Sequence, residues 1–118
     1  MKRKVANGAR KSARIAFAHG PGEFKGEQRL LLFINGEHVS APATNVKLLA
    51  HLHEHRGQVV PLHTLCRLLG FPIMTEAELH VLRQYTSWIN QTLAQYRLPC
   101  CLTVARNVGY ALCSTAPQ

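Results

Sequence analysis

Arg106-Asn107-Val108-Gly109-Tyr110, near the end of the sequence, sets a guanidinium beside the two residue types that best tolerate positive φ. Asn107 and Gly109 stand two apart between apolar neighbours, which marks a tight reversal between strands. Such a turn holds Arg106 at an exposed tip while Tyr110 and Leu112 return to the core. A guanidinium presented this way suits a phosphate or a narrow groove of negative potential. A second group is spaced for a helix. Gln84, Ser87, Trp88, Gln91 and Gln95, with Arg83 and Asn90 alongside, lie opposite a stripe of Leu82, Thr86, Ile89, Leu93 and Tyr96. Amides can read adenine edges and Ser87 can bond to base or phosphate. Trp88 has two readings: pressing on a thymine methyl or the sugar-phosphate wall, or half-buried packing.

Other reactive residues lead less far. His51 and His55 in HLHEH are one helical turn apart, a half-site for zinc or nickel, but no Cys or carboxylate is evidently positioned to complete it. A solvated helix end is the expectation, so no metal and no cofactor are assigned. Cys66, Cys100, Cys101 and Cys113 form no CxxC pair and read as reduced, partly buried thiols. A redox switch at Cys66 or Cys113 finds no electropositive neighbour in the sequence. All six acids are glutamates (Glu23, Glu27, Glu37, Glu54, Glu76 and Glu78), and the chain contains no aspartate. Ser-His-Asp triads and aspartyl phosphoacceptors are thereby excluded. The glutamates fall in polar stretches rather than in apolar pairs tuned for acid–base work. An enzyme is not expected.

These side chains need a scaffold, and 118 residues with 47% hydrophobic content supply one domain with a core. No apolar run reaches the roughly 18–20 residues that span a bilayer, and the basic N-terminus lacks the apolar stretch of a secretory signal. The expected location is the cytoplasm, associated with the nucleoid and not with a membrane. The net charge is +8 and uneven. Lys2, Arg3, Lys4, Arg10, Lys11 and Arg14 give residues 1–14 six positive charges and no acid. The segment reads as a flexible basic arm that reaches for phosphates, with a solubilising tail as the plain alternative. Residues 15–118 form the folded domain.

Within that domain, residues 14–18 alternate weakly and read as a short strand, and residues 19–27 read as a loop or hairpin connection. Arg29–Ile34 is an apolar run closed by Asn35-Gly36, a strong hairpin signal, with Val39 on the return strand. The front third is thus a small antiparallel sheet. Val46, Leu48, Leu49 and Leu52 then recur at helical spacing, with Ser40 or Thr44 able to cap the start and Gly57 at the stop. Gln58–Val60 is an extended link. Pro61 opens a second helix with Leu62, Leu65, Cys66 and Leu69 on one side and Gly70 at its end. The longest helix runs from Thr75 to about Tyr96, begun by a capping box of Thr75 and Glu78. Pro99 bars further helix, and residues 100–113 read as two strands. The expected class is α+β: an N-terminal antiparallel sheet, three helices and a C-terminal β-hairpin wing, the layout of a winged helix-turn-helix.

Here the sequence resembles the OmpR/PhoB-type winged-helix effector domains of bacterial response regulators. Val46-Lys47-Leu48-Leu49 resembles the family's first core element. Gly57–Leu62 resembles the link into the second helix, with Pro61 where serine is usual. Val104–Leu112 matches the wing in register, with Asn107 at a glycine position. The likeness covers about residues 14–113, and the wing motif is its most specific part. Where the family's long helix usually carries Arg-Arg, this chain has Ser87-Trp88-Ile89. The resemblance implies a sequence-specific double-stranded-DNA-binding transcription regulator, the helix 75–96 in the major groove and Arg106 with Asn107 on the minor groove or backbone. It also implies a homodimer or tandem copies on DNA. These residues hold no receiver domain, which leaves an excised domain or a stand-alone regulator, the latter being the expectation. The alternative is a protein-interaction module for RNA polymerase or another regulator, suited to the uncharged face around Trp88.

Overall fold

Asn35 and Gly36 both adopt left-handed backbone, φ 56° and 84°, which is what a two-residue hairpin turn of primed type demands. In this computed structural model, which describes residues 14–22, 25–71 and 74–114, that turn joins β2 (Gln28–Ile34) to β3 (Glu37–Val39). β2 also pairs antiparallel with β1 (Ile15–Pro21), giving the sheet order β1-β2-β3. The Asn35 side chain fastens the sheet's far corner, its Oδ1 accepting from the Arg14 amide at 3.0 Å. β1 is longer than the sequence suggests. His19, Gly20 and Pro21 continue the ladder opposite Leu30, Arg29 and Gln28 instead of forming a loop. On an edge strand the N–H that proline lacks is not needed.

Three helices follow: α1 (Ala43–Glu54), α2 (Leu62–Leu68) and α3 (Glu76–Gln95). Neither Ser40 nor Thr44 caps α1. Pro42 is the N-cap residue, and its fixed extended backbone, φ −58° and ψ 145°, sets the start with no side-chain bond. Gly57, at φ 82°, carries the left-handed turn two residues beyond the C-cap His55. α2 ends in a Schellman turn, the Gly70 amide donating to Arg67 O at 3.0 Å and the Phe71 amide to Cys66 O at 2.9 Å. The capping box of α3 forms as its sequence signals, with Thr75 and Glu78 bonded reciprocally. The Thr75 hydroxyl, donating to the Glu78 carboxylate, and then the Thr75 amide hold that carboxyl below the usual carboxylate range. α3 ends through the same turn as α2, with Arg97 at φ 55° and the Leu98 amide donating to Leu93 O. The helix is therefore closed before Pro99 is reached.

The chain then forms β5 (Cys100–Ala105) and β6 (Gly109–Ser114), which pair antiparallel. A short strand between α1 and α2, β4 (Val60–Pro61), pairs with the other edge of β6, so the second sheet runs β4-β6-β5. The link into α2 is thus part of the terminal sheet, a pairing that local sequence does not signal. The core lies among these layers: Leu32 and Ile34 from β2, Leu48, Leu49 and Leu52 from α1, Leu65 from α2, Leu82, Ile89 and Leu93 from α3, and Leu112 from β6. Each such side chain contributes about 1.5–3 kcal/mol on burial. The architecture is α+β, with two antiparallel sheets and three helices among the described residues.

Gly109 is the tightest point of this packing, because a Cβ there would overlap the Val60 carbonyl. Gly109→Ala is expected to lower stability by about 1–3 kcal/mol, read from denaturant midpoints at constant m. A second outcome concerns pH. His53 packs against Phe17 with ring centroids 5.6 Å apart, and its Nδ1 is buried without a hydrogen-bond partner. Burial first, then the Arg56 charge, lowers its pKa below 6.5. The unfolded chain therefore takes up this proton more readily than the folded one. Stability is complete above pH 6.5 and declines as pH falls through the lowered value. His53→Phe should flatten that decline when melting is followed between about pH 7 and pH 5.

Candidate functional site

The outward stripe of α3 is polar for the reason its inward stripe is apolar: a 3.6-residue period leaves every third or fourth residue facing away from the core. Arg83, Gln84, Ser87 and Gln91 are exposed on it. With His80 and Trp88 they line a shallow, open depression of about 420 Å³. Trp88 is half-buried and packs against the core cluster, so one part of its ring supports the fold while another borders this depression. The two readings of Trp88 are compatible. Sequence reasoning missed His80, although it stands three and four residues before Arg83 and Gln84 on the same stripe.

Beside the stripe runs a groove of about 380 Å³ between α3 and the terminal hairpin, bordered by Leu79 and Arg83 on one side and Val104, Arg106, Asn107 and Tyr110 on the other. Arg83 belongs to both concavities and joins them. Among the described residues lining the two, none is a carboxylate. Glu76, exposed in the first turn of α3, lies four and seven residues before His80 and Arg83 and is the nearest acid on that stripe.

The hairpin tip forms where the sequence leads one to expect, but of its two candidates for positive φ only Asn107 adopts it; Gly109 is already in β6. The Val108 amide donates to Ala105 O at 2.8 Å, and Asn107 takes the left-handed position at φ 65°. Arg106 and Asn107 are exposed at the turn. Tyr110 meets the expectation in part: it packs half-buried against the core cluster and also borders the groove, while Ala111 and Leu112 are buried. The tip is held from below. Leu62, the first residue of α2, donates its amide to Val108 O at 2.9 Å, and Gly57 donates to Leu112 O at 2.9 Å. A backbone carbonyl of the hairpin thus serves the start of α2, where the N-cap residue Pro61 makes no side-chain bond.

Asn90 is exposed, but its amide is already engaged. Its Oδ1 accepts from the Leu102 amide at 2.9 Å and its Nδ2 donates to Leu102 O at 3.3 Å. An amide matches one residue of an exposed backbone edge in both directions, and here it docks β5 onto α3. Gln95 is exposed beyond the depression and lines neither concavity. Lys2, Arg3, Lys4, Arg10 and Lys11 lie outside the described residues. Arg14 is described; it is exposed and borders a small cavity with His53, Arg56 and Cys100. Cys100 begins β5 and Arg106 follows its end, so Arg14 sits some six residues, roughly 20 Å, along the hairpin from the tip.

The histidine pair needs a correction. The ligand atoms of His51, Glu54 and His55 all lie within 4.8 Å of one another, so a carboxylate does accompany the half-site. Glu54 is exposed and three residues from His51, a spacing that the sequence already contained. The thiols follow their burial: Cys66 and Cys100 are buried and their pKa values are raised chiefly for that reason. Among the described residues, no helix is long and apolar enough to cross a membrane.

No protein-family model matches the chain, and no curated protein matches it.

The docking role of Asn90 has a direct consequence. Asn90→Ala leaves the Leu102 amide and carbonyl without their partner and is expected to cost about 1–3 kcal/mol. Hydrogen exchange should speed at the Leu102 amide before it does at the buried amides of α1.

Proposed function

We propose that this chain is a sequence-specific, double-stranded-DNA-binding transcription regulator of winged helix-turn-helix type, related to the OmpR/PhoB effector domains. The observation that carries the reading is the continuity from the polar stripe of α3, through Arg83, into the groove walled by Arg106 and Asn107. A helix about 10–12 Å across with its side chains fits the major groove, and a hairpin fixed beside it meets the adjoining backbone or minor groove.

Roles follow from side-chain chemistry. Gln84, Ser87 and Gln91 present donors and acceptors at one-turn spacing to base edges, and the exposed part of Trp88 offers apolar contact to a thymine methyl or sugar. Arg83 and Arg106 supply the local positive charge, and Asn107 adds an amide at the tip. This surface is poor in charge for a polyanion, so sequence-independent attraction falls to the basic arm with Lys2, Arg3, Lys4, Arg10 and Lys11. Glu76 works against approach of a phosphate at the start of the helix.

A second reading has its own support. Val104 and Val108 on the hairpin are 65% and 55% exposed, an apolar pair next to Arg106. Apolar residues flanking an arginine, with Trp88 nearby, are the composition of a protein-binding patch, for RNA polymerase or another regulator.

Selection from a random duplex pool, followed by titration of the selected site at two salt concentrations, separates the two. On the DNA reading Gln84→Ala and Gln91→Ala relax preference at individual positions by about 1–3 kcal/mol per base contact. Removing residues 1–13 weakens every sequence and lowers the salt slope by about one unit for each phosphate that the arm had neutralised. Glu76→Gln strengthens binding severalfold at low salt. Failure of any duplex to be enriched would overturn the DNA reading and leave the protein-binding one.

A further inference from the structure

His51 and Glu54 sit on the last turn of α1 and His55 is its C-cap residue, and none of them lines either concavity beside α3. At about 100° per residue, positions i, i+3 and i+4 share one face. His53 is turned to the other side, against Phe17, while Leu52 enters the core. The His51 and His55 ring centroids are 4.4 Å apart with planes 31° from parallel, and the carboxylate of Glu54 completes a set of ligand atoms within 4.8 Å.

Geometry also selects the ligating atom of one ring. His55 Nδ1 lies 2.9 Å from the backbone oxygen of His51. A carbonyl only accepts, so Nδ1 carries the hydrogen and Nε2 of the neutral ring keeps its lone pair for an incoming ion. Fixing a ligating imidazole through its other nitrogen is the usual outer-sphere arrangement of a metal site. The negative end of the helix dipole adds attraction for a cation.

We propose that His51, Glu54 and His55 form a binding site for a divalent transition-metal ion of the zinc class, held by two imidazole nitrogens and one carboxylate oxygen, with a fourth position for water or an added ligand. Magnesium and calcium prefer all-oxygen sets and fit poorly; zinc, cobalt, nickel and copper accept mixed nitrogen and oxygen. Ligand bonds of about 2.0–2.2 Å set tetrahedral donor atoms about 3.4 Å from one another, so the side chains would rotate inward to close on the ion. The ion would lock the last turn of α1, two residues before the Gly57 amide reaches Leu112 of β6.

The test is titration of the untagged, fully reduced full chain with Zn²⁺ by calorimetry and with Co²⁺ by absorption. One equivalent is expected at low-micromolar affinity or better, with cobalt d–d bands and no thiolate charge-transfer band. Glu54→Gln should weaken binding about tenfold, and His51→Ala with His55→Ala should abolish it. Both positions are only half-buried, and circular dichroism verifies that the variants remain folded. Absence of stoichiometric binding, affinity unchanged in the double variant, or a thiolate band that assigns the ion to the cysteines would overturn the site.

Discussion

Strand β6 is paired on both sides, along its length by β5 and at Gly109 and Tyr110 by β4, and the rest of the candidate surface depends on that. On one side it pairs with β5 and on the other with the residues that lead into α2. The approach is closest at Gly109, where only a hydrogen fits beneath the Val60 carbonyl. Amides from Gly57 and Leu62 fall on hairpin carbonyls on either side of that point. A hairpin attached only through its own strands would be marginal in water and free to swing. Pinned along β6 and fixed to α3 by Asn90, it carries Arg106 at a set angle to the helix. Preorganisation of this kind lets a short surface bind without an ordering cost at each encounter.

α3 divides its labour by face. Leu82, Ile89 and Leu93 bury one stripe, Asn90 holds the adjoining hairpin from the flank, and Arg83, Gln84, Ser87 and Gln91 remain on the outside. Trp88 stands between these duties, anchored in the core yet bordering the outer depression. Its anchorage limits the rotamers available to it, so its exposed part is a rigid platform. In the proposed complex, such a helix discriminates by hydrogen-bond pattern and shape more than by charge. Long-range attraction is then delegated to Lys2, Arg3, Lys4, Arg10 and Lys11, and affinity becomes separable from specificity. Arg14, whose backbone bonds to Asn35 and so belongs to the first sheet, lies beside Cys100 at the base of the hairpin, so the phosphate contacts proposed for the basic residues before it would begin some distance from the Arg106 contact.

What the sequence determined alone was the local part, because those signals act over a few residues. Asn35-Gly36, the Thr75–Glu78 capping box, the apolar periods of α1 and α3, and the turn at Asn107 each encode backbone geometry whose partner lies within one turn or one hairpin. The polar stripe of α3 was readable for the same reason. Only tertiary structure decided the long-range pairings. Val60 and Pro61 join β6 about fifty residues away. The exposed Asn90 spends its amide on the Leu102 backbone, and Tyr110 packs half-buried on the core while bordering a groove. These outcomes depend on which surface happens to lie opposite a side chain, and no spacing along the chain records that. Pro42 replaced Ser40 and Thr44 at the start of α1 through its fixed extended backbone, and His19–Pro21 stayed extended because an assembled sheet edge tolerates residues whose local preference is a turn.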